Sequence, residues 1–342
     1  MKQIFDIESR LNRYPEPGLL KDMFLPATII MAMVVIAMLS SCSGTKAEKP
    51  VPISLSSPEE LLNQGTYQYN NNNYIKATQI FEKALLQYRS IDNQTGIAKS
   101  CLNLAKSHMA VNNNNIAKSY LDKADAIITG TPLTELSEHL HLLKSSYAIN
   151  KQAYDAAQLE LDAVIVSSNT AVKLAALKNQ TRLAFLTHAD NRQQWLEQYR
   201  SLQNQHPVDT DSHLASIYRF QAELAEADSE KQALLADALS ISRRLADRPA
   251  IAATLAQSAD IDLQTKDYAA AEDKFTRALF IRHQLGDVHN SSILLGRLNT
   301  LYKATDSDRQ TLTQKWLDKL ANGEISEWDS LFSDFDSYPV SR

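Results

Sequence analysis

The stretch LLNQGTYQYNNNNYIKATQIFEKALLQY, residues 61–88, decides the fold. Gly65 is its one residue without a side chain. Tyr74, Ala77, Phe81 and Ala84 follow a run of asparagines at 70–73. The same marks return 40 residues on as Ala105, Ala117, Leu121 and Ala124, and 40 further as Ser145, Tyr154, Ala157, Leu161 and Val164. Near the C-terminus they reappear in ATLAQSADIDLQTKDYAAAEDKFTRAL, residues 253–279, as Ala259, Tyr268, Ala271, Phe275 and Ala278. The segment before it aligns at the same offset, with Leu235, Ala238, Leu245 and Asp247 matching Phe275, Ala278, Leu285 and Asp287. Self-similarity at one period over this length signals a stacked repeat array.

Side-chain size explains the marks. Two helices approach to about 8 Å only where one presents Gly, Ala or Ser, and a large neighbour then fills the adjacent groove. A single pair cannot bury its apolar face, so pairs stack. The pattern resembles the tetratricopeptide repeat, a pair of antiparallel helices. That resemblance implies an all-α, α-α superhelix of about seven helix pairs, whose first helices line the inner face. A 40-residue spacing, longer than the repeat's usual length, implies longer helices or longer loops. Loops are visible at 90–96 (SIDNQTG) and 284–290 (QLGDVHN). Residues 169–207 and 209–247 fit less well. There Asp190 is the expected N-cap of a second helix, and either Arg219 or Ala222 takes the small position.

Composition agrees with helix. The chain has only 8 Gly and 10 Pro, and between Glu59 and Leu320 the prolines are Pro132, Pro207 and Pro249. Each sits in a polar stretch, where a residue lacking an N–H punctuates helices. The net charge of −5 has no basic stripe of the kind nucleic-acid binding requires. Of two cysteines, Cys101 reads as a small buried apolar residue.

Cys42 has another use. Residues 23–39 (MFLPATIIMAMVVIAML) carry no charge and fall short of the roughly 20 residues of a membrane span. They suit the apolar region of a secretory signal. The tetrad Leu39-Ser40-Ser41-Cys42 resembles the bacterial lipobox, which implies cleavage before Cys42 and its acylation. Ser43, in place of an aspartate, implies sorting to the outer membrane, facing the periplasm; inner-membrane anchoring is the alternative. Residues 1–22 balance four basic against four acidic side chains, which leaves open an uncleaved anchor or a later start. The expected organisation is a signal peptide (1–41), a lipidated flexible tether (42–58), N-terminal repeats (59–207), C-terminal repeats with a cap (208–320) and an acidic tail (321–342). The tail is a cap helix, a partner-binding segment or a loose end. Ser57, Pro58 and Glu60 form the start signal of the first helix.

No phosphate-binding loop, HExxH or paired CxxC occurs. His139 and His141, two apart, point roughly 200° from each other on a helix and cannot share a metal. The expectation is therefore no catalysis, cofactor or metal, and a protein or peptide partner. The repeat geometry places Leu62, Thr66, Tyr69 and Asn70, then Lys99, Leu102, Lys106 and Met109, then Leu142, Ser146, Ile149 and Asn150 along the groove. The lysines there would meet an acidic ligand. The function expected is a membrane-anchored scaffold or adaptor lipoprotein. The alternative is a regulatory or sensory subunit that binds a peptide or glycan and modulates an enzyme.

Overall fold

A computed structural model of the chain describes residues 56–130, 134–206, 211–322 and 330–332. The signal segment, Cys42, the tether up to residue 55, Pro132, Pro207 and most of the tail lie outside these residues. Among the described residues there are fourteen α-helices and no strand. They run as pairs: α1 (Pro58–Asn70) with α2 (Tyr74–Ser90), α3 (Gln94–Ala110) with α4 (Asn114–Thr129), and α5 (Thr134–Asn150) with α6 (Tyr154–Val164). Next come α7 (Thr170–Leu186) with α8 (Arg192–Gln205) and α9 (Asp211–Leu224) with α10 (Asp228–Arg244). The last are α11 (Arg248–Gln264) with α12 (Tyr268–Gln284) and α13 (Val288–Ala304) with α14 (Arg309–Ala321). Seven pairs stack in order, as the repeat implies.

The 40-residue period comes from helix length. Eight of the helices have 17 residues, and the regular turns between them have three. The expected long loops at 90–96 and 284–290 shrink to residues 91–93 and 285–287. Each regular turn is closed by one residue in the left-handed region, Asn72, Asp92, Asn112, Gln152, Ala246, Lys266 and Gly286, and the longer connectors at 187–191 and 305–308 have His188 and Asp306 there. The N–H of the next residue then reaches back five positions, as in Asn73 to Gln68, Asp247 to Ser242 and Asp287 to Arg282. This satisfies helix-end carbonyls that would otherwise be orphaned. Asn and Asp tolerate the left-handed region best among residues with a side chain, which explains the asparagine runs.

Starts are also written locally. Ser57 and Glu60 form a capping box with Pro58 in the first turn, and Asp247, Asp267 and Asp287 each accept an N–H of the helix they open. Pro249 sits in the first turn of α11, where its missing N–H costs nothing. The N-cap of α8 is Asn191 instead of Asp190, and its side chain makes no capping bond.

The small marks sit where helices cross. Gly65, Ala105, Ser145 and Ala259 are buried, each seven residues before a left-handed turn residue. Counting back from His188 puts Thr181 at this place in α7, 36 residues after Ser145. The slip arises in α6, which has 11 residues and is followed by a five-residue connector. In α9 the role falls to buried Ala222, which packs with Leu235 and Ile261, and not to Arg219. The tail partly folds back. Leu331 is fully buried among the residues of α11–α14, and the Phe332 ring meets Phe280 and His283 edge-on at 5.1 Å.

Gly65 admits the ring of Phe81. A Cβ there would stand 2.5 Å from Phe81 Cε1. Gly65→Ala gains about 1 kcal/mol of helix propensity but overpacks the crossing by about 1–3 kcal/mol. We expect a net loss in urea denaturation, recovered by adding Phe81→Leu, which recreates the Ala105/Leu121 pair of the second repeat. A single variant as stable as the parent contradicts this packing. Leu331→Ala should cost about 2–5 kcal/mol in the same assay; a loss below about 0.5 kcal/mol would show that the tail does not seal the array.

Candidate functional site

The stack coils back on itself. Within a pair the turn lies at one edge of the array, and between pairs at the other. The Asn72 turn, inside the first pair, meets the Ala246 turn, between the fifth and sixth. Asn72 Nδ2 donates to the Ala246 carbonyl oxygen at 3.0 Å across 174 residues, and Tyr74 Oη donates to Asn72 Oδ1 at 3.0 Å. One repeat later, Val111 and Asn112 face Val288, His289 and Ser292 of α13 and Leu317, Leu320 and Ala321 of α14 across a cavity of about 550 Å³. Successive coils thus meet edge to edge at these two places, and the concave inner face of such a superhelix is its lumen.

The expected groove residues divide. Leu62, Leu102, Leu142 and Ile149 are buried in the cores between helices, because the helix faces they occupy also meet the next pair. Thr66, Asn70 and Lys99 are exposed, and Met109 is half-buried. Lys106 lies over the Tyr69 ring, 4.4 Å from its centroid, and that ring contacts Tyr74 at 5.1 Å. A cation over an aromatic face is held by the ring quadrupole. Ser146 accepts from Asn179 Nδ2 at 2.9 Å, and Asn150 Oδ1 accepts from Arg182 Nη2 at 3.1 Å.

That last bond leads to the centre of the site. Lys178 and Arg182 stand one turn apart on α7, and Arg219 faces them from α9. Burial, then repulsion from Arg219, pulls the Lys178 ammonium down to about 8, with Arg182 repelling it further and Asp247 opposing. Burial, then Arg219, lowers Arg182, and burial lowers both Arg219 and Lys106. Lys106 and Arg182 are exposed, while Lys178 and Arg219 are half-buried. Among the described residues neither Lys178 nor Arg219 has an ion pair, and Arg219 Nε is buried without an acceptor. Like charges three or four apart on a helix repel, and an unpaired buried cation costs free energy. Asp247 acts on both Lys178 and Arg219 of this cluster in the opposite sense, and Glu223 on Arg219.

Its surroundings hold it in place. The Tyr199 hydroxyl lies 2.6 Å from His213 Nδ1, and burial, then Lys178, drives that imidazole to about 4. Beyond Arg219 the lining becomes mixed. Glu223 accepts from Gln257 Nε2 at 2.7 Å, and Asp260 pairs with Arg297 at 3.2 Å, beside a cavity of about 380 Å³. Burial raises both carboxyls. Away from the lumen, His141 Nδ1 lies 2.6 Å from Glu160 Oε2. Cys101 is fully buried and its thiol is pushed up by burial. No group of His, Cys, Asp or Glu among the described residues has metal-binding geometry, and no described helix is long and apolar enough to cross a membrane.

Sequence reasoning missed Lys178, Arg182 and Arg219 because their pairs carry no clear small-residue marks, so no inner face was assigned to them. The like-charged pair at i, i+4 in α7 was the available signal.

No family model matches the chain, and no curated protein does. Among solved structures, the chain is similar to the crystal structure of a Rap protein complexed with Competence and Sporulation Factor. The two share 14% identity over 83% of this chain and 80% of that one, with a TM-score of 0.58. The likeness is one of fold: a tetratricopeptide-like helical repeat coil.

The depressed Lys178 gives a pH signature. Its folded value of about 8 lies below the ordinary 10.5, so between these values the unfolded chain binds more protons and stability rises with pH. Lys178→Met should flatten this rise and stabilise the chain at neutral pH by on the order of 1 kcal/mol. Urea denaturation at neutral and alkaline pH reads it, and a destabilised variant at neutral pH would contradict the repulsion.

Proposed function

We propose that the protein is a lipid-anchored adaptor of the bacterial envelope whose coil holds an acidic segment of a partner protein. The observation that carries this reading is the pair Lys178 and Arg219, which repel each other and, among the described residues, have no salt-bridged carboxylate; Lys106 over the Tyr69 ring adds a third cation. An anionic side chain placed among them would replace mutual repulsion with charge-assisted hydrogen bonds. Apolar and aromatic neighbours, with Tyr69 foremost, supply contact area for the rest of the segment. The similar Rap protein is complexed with a factor, which is in keeping with a coil built to hold a partner.

The lipobox resemblance at Cys42 supports the anchor. Acyl chains contribute about 0.8 kcal/mol per buried methylene, so several of them hold a protein at a membrane almost permanently. In this reading the chain sits on the outer membrane facing the periplasm and performs no catalysis of its own. A regulatory subunit that modulates a partner enzyme would use the same lumen.

Capture from detergent-solubilised membranes tests the proposal. The parent should retain a partner, and Lys178→Gln/Arg219→Gln should lose it by about ten-fold or more, the scale of one truncated buried charge contact. Cys42→Ala should leave the membrane fraction and lose metabolic labelling with palmitate. Equal recovery by parent and cation variant, or palmitate labelling that survives Cys42→Ala, would overturn the respective half.

A further inference from the structure

A coil whose successive turns touch encloses its lumen, and a segment reaches an enclosed lumen by threading from an end or by parting the turns. The edges that meet here are unlike the rest of the array. Elsewhere neighbouring helices share fully buried side chains such as Phe81, Leu104, Phe275 and Leu295. Between the coils a hydrogen bond crosses from Asn72 Nδ2 to the Ala246 carbonyl oxygen. Ala246 itself is held at φ 51, a left-handed conformation that costs a residue with a Cβ. Asn72 is half-buried and Ala246 exposed. Beside them, the cavity of about 550 Å³ keeps Val111 and Asn112 from packing closely on α13 and α14.

The charges near this contact belong to the lumen. Asp247, next to Ala246, raises both Tyr69 and Tyr74 after their burial, and Arg248 and Arg282 act on Tyr74 in the opposite sense. The same Asp247 is felt by Lys178 and Arg219. Parting the edges therefore opens beside Asp247, whose charge reaches the cation cluster.

We propose that the Asn72–Ala246 seam is a side gate: the coil opens there, takes in a segment laterally and closes over it. A partner so held needs no free chain end, so the acidic segment lies within a longer chain and not only at its terminus. This rests on the reading of the lumen as the binding site. Opening breaks the Asn72–Ala246 hydrogen bond, while the helix pairs on either side keep their cores. Closing leaves the segment surrounded, which slows its escape.

Pulsed dipolar spectroscopy on the free full chain tests the gate. Spin labels replace the exposed Asn71 and Arg243, with Cys42→Ser to leave no competing accessible thiol; Cys101 is fully buried. Two distance populations are expected, short for the closed seam and longer for the open one. Asn72→Gly keeps the left-handed turn but removes the amide, and should raise the open-to-closed ratio by about three- to ten-fold, the equivalent of one net hydrogen bond. Unchanged far-ultraviolet circular dichroism establishes that the variant is folded. A single short distance in both proteins, or a ratio indifferent to Asn72→Gly, overturns the gate. No ligand takes part, so this result stands apart from the capture of a partner: the gate can fail while the lumen still binds, and the reverse.

Discussion

The structure depends on a backbone constraint that recurs every twenty residues. A helix of 17 residues ends in a turn closed by one residue in the left-handed region, at 92 and 112 and again at 246, 266, 286 and 306, and the shorter first helix ends the same way at 72. Equal helices with equal turns give each pair the same offset from the last, so a small rotation accumulates into a regular coil. Uniform length also keeps both edges of the array level, so the turns of one coil rest against those of the next. The buried small residues follow from the same register, each seven positions before its turn. Side-chain size lets the helices approach, and the turn residue fixes where they do.

The interruption matters as much as the rule. Between Tyr154 and Leu224 the helices shorten to 11 residues in α6 and 14 in α8 and α9. Large residues enter the packing, and Phe185 and Phe220 meet at 5.0 Å. This stretch carries Lys178, Arg182 and Arg219. Natural chains break local consistency most often where they work, and here the departure from the repeat coincides with the charge that destabilises the array.

Much of the fold was legible because it is written locally. Gly65, Ala105, Ser145 and Ala259 declare the crossings, and Ser57 with Glu60 declares the first helix. The asparagine runs mark turns, although spacing alone did not show that Asn72 would meet a turn 174 residues away, since that contact depends on rotation summed over five pairs. Leu62 and Leu142 were assigned to the groove from position along the helix, yet a first helix divides its surface between lumen and core, and these leucines fall on the core side. The cation cluster was illegible for a different reason. The four-residue slip after α6 moves the small position to Thr181, and without that register the inward face of α7 cannot be read from the sequence.

The central claim is that a twenty-residue period closes the chain into a touching coil instead of an open rod. Cysteines at Asn112 and Ala321, bridged by a short bismaleimide, measure this most directly, because both line the same cavity between coils. The coil predicts rapid cross-linking within the monomer at low protein concentration, abolished when the chain is unfolded in urea. Cross-links that form only between molecules, or none, would mean that the edges never meet.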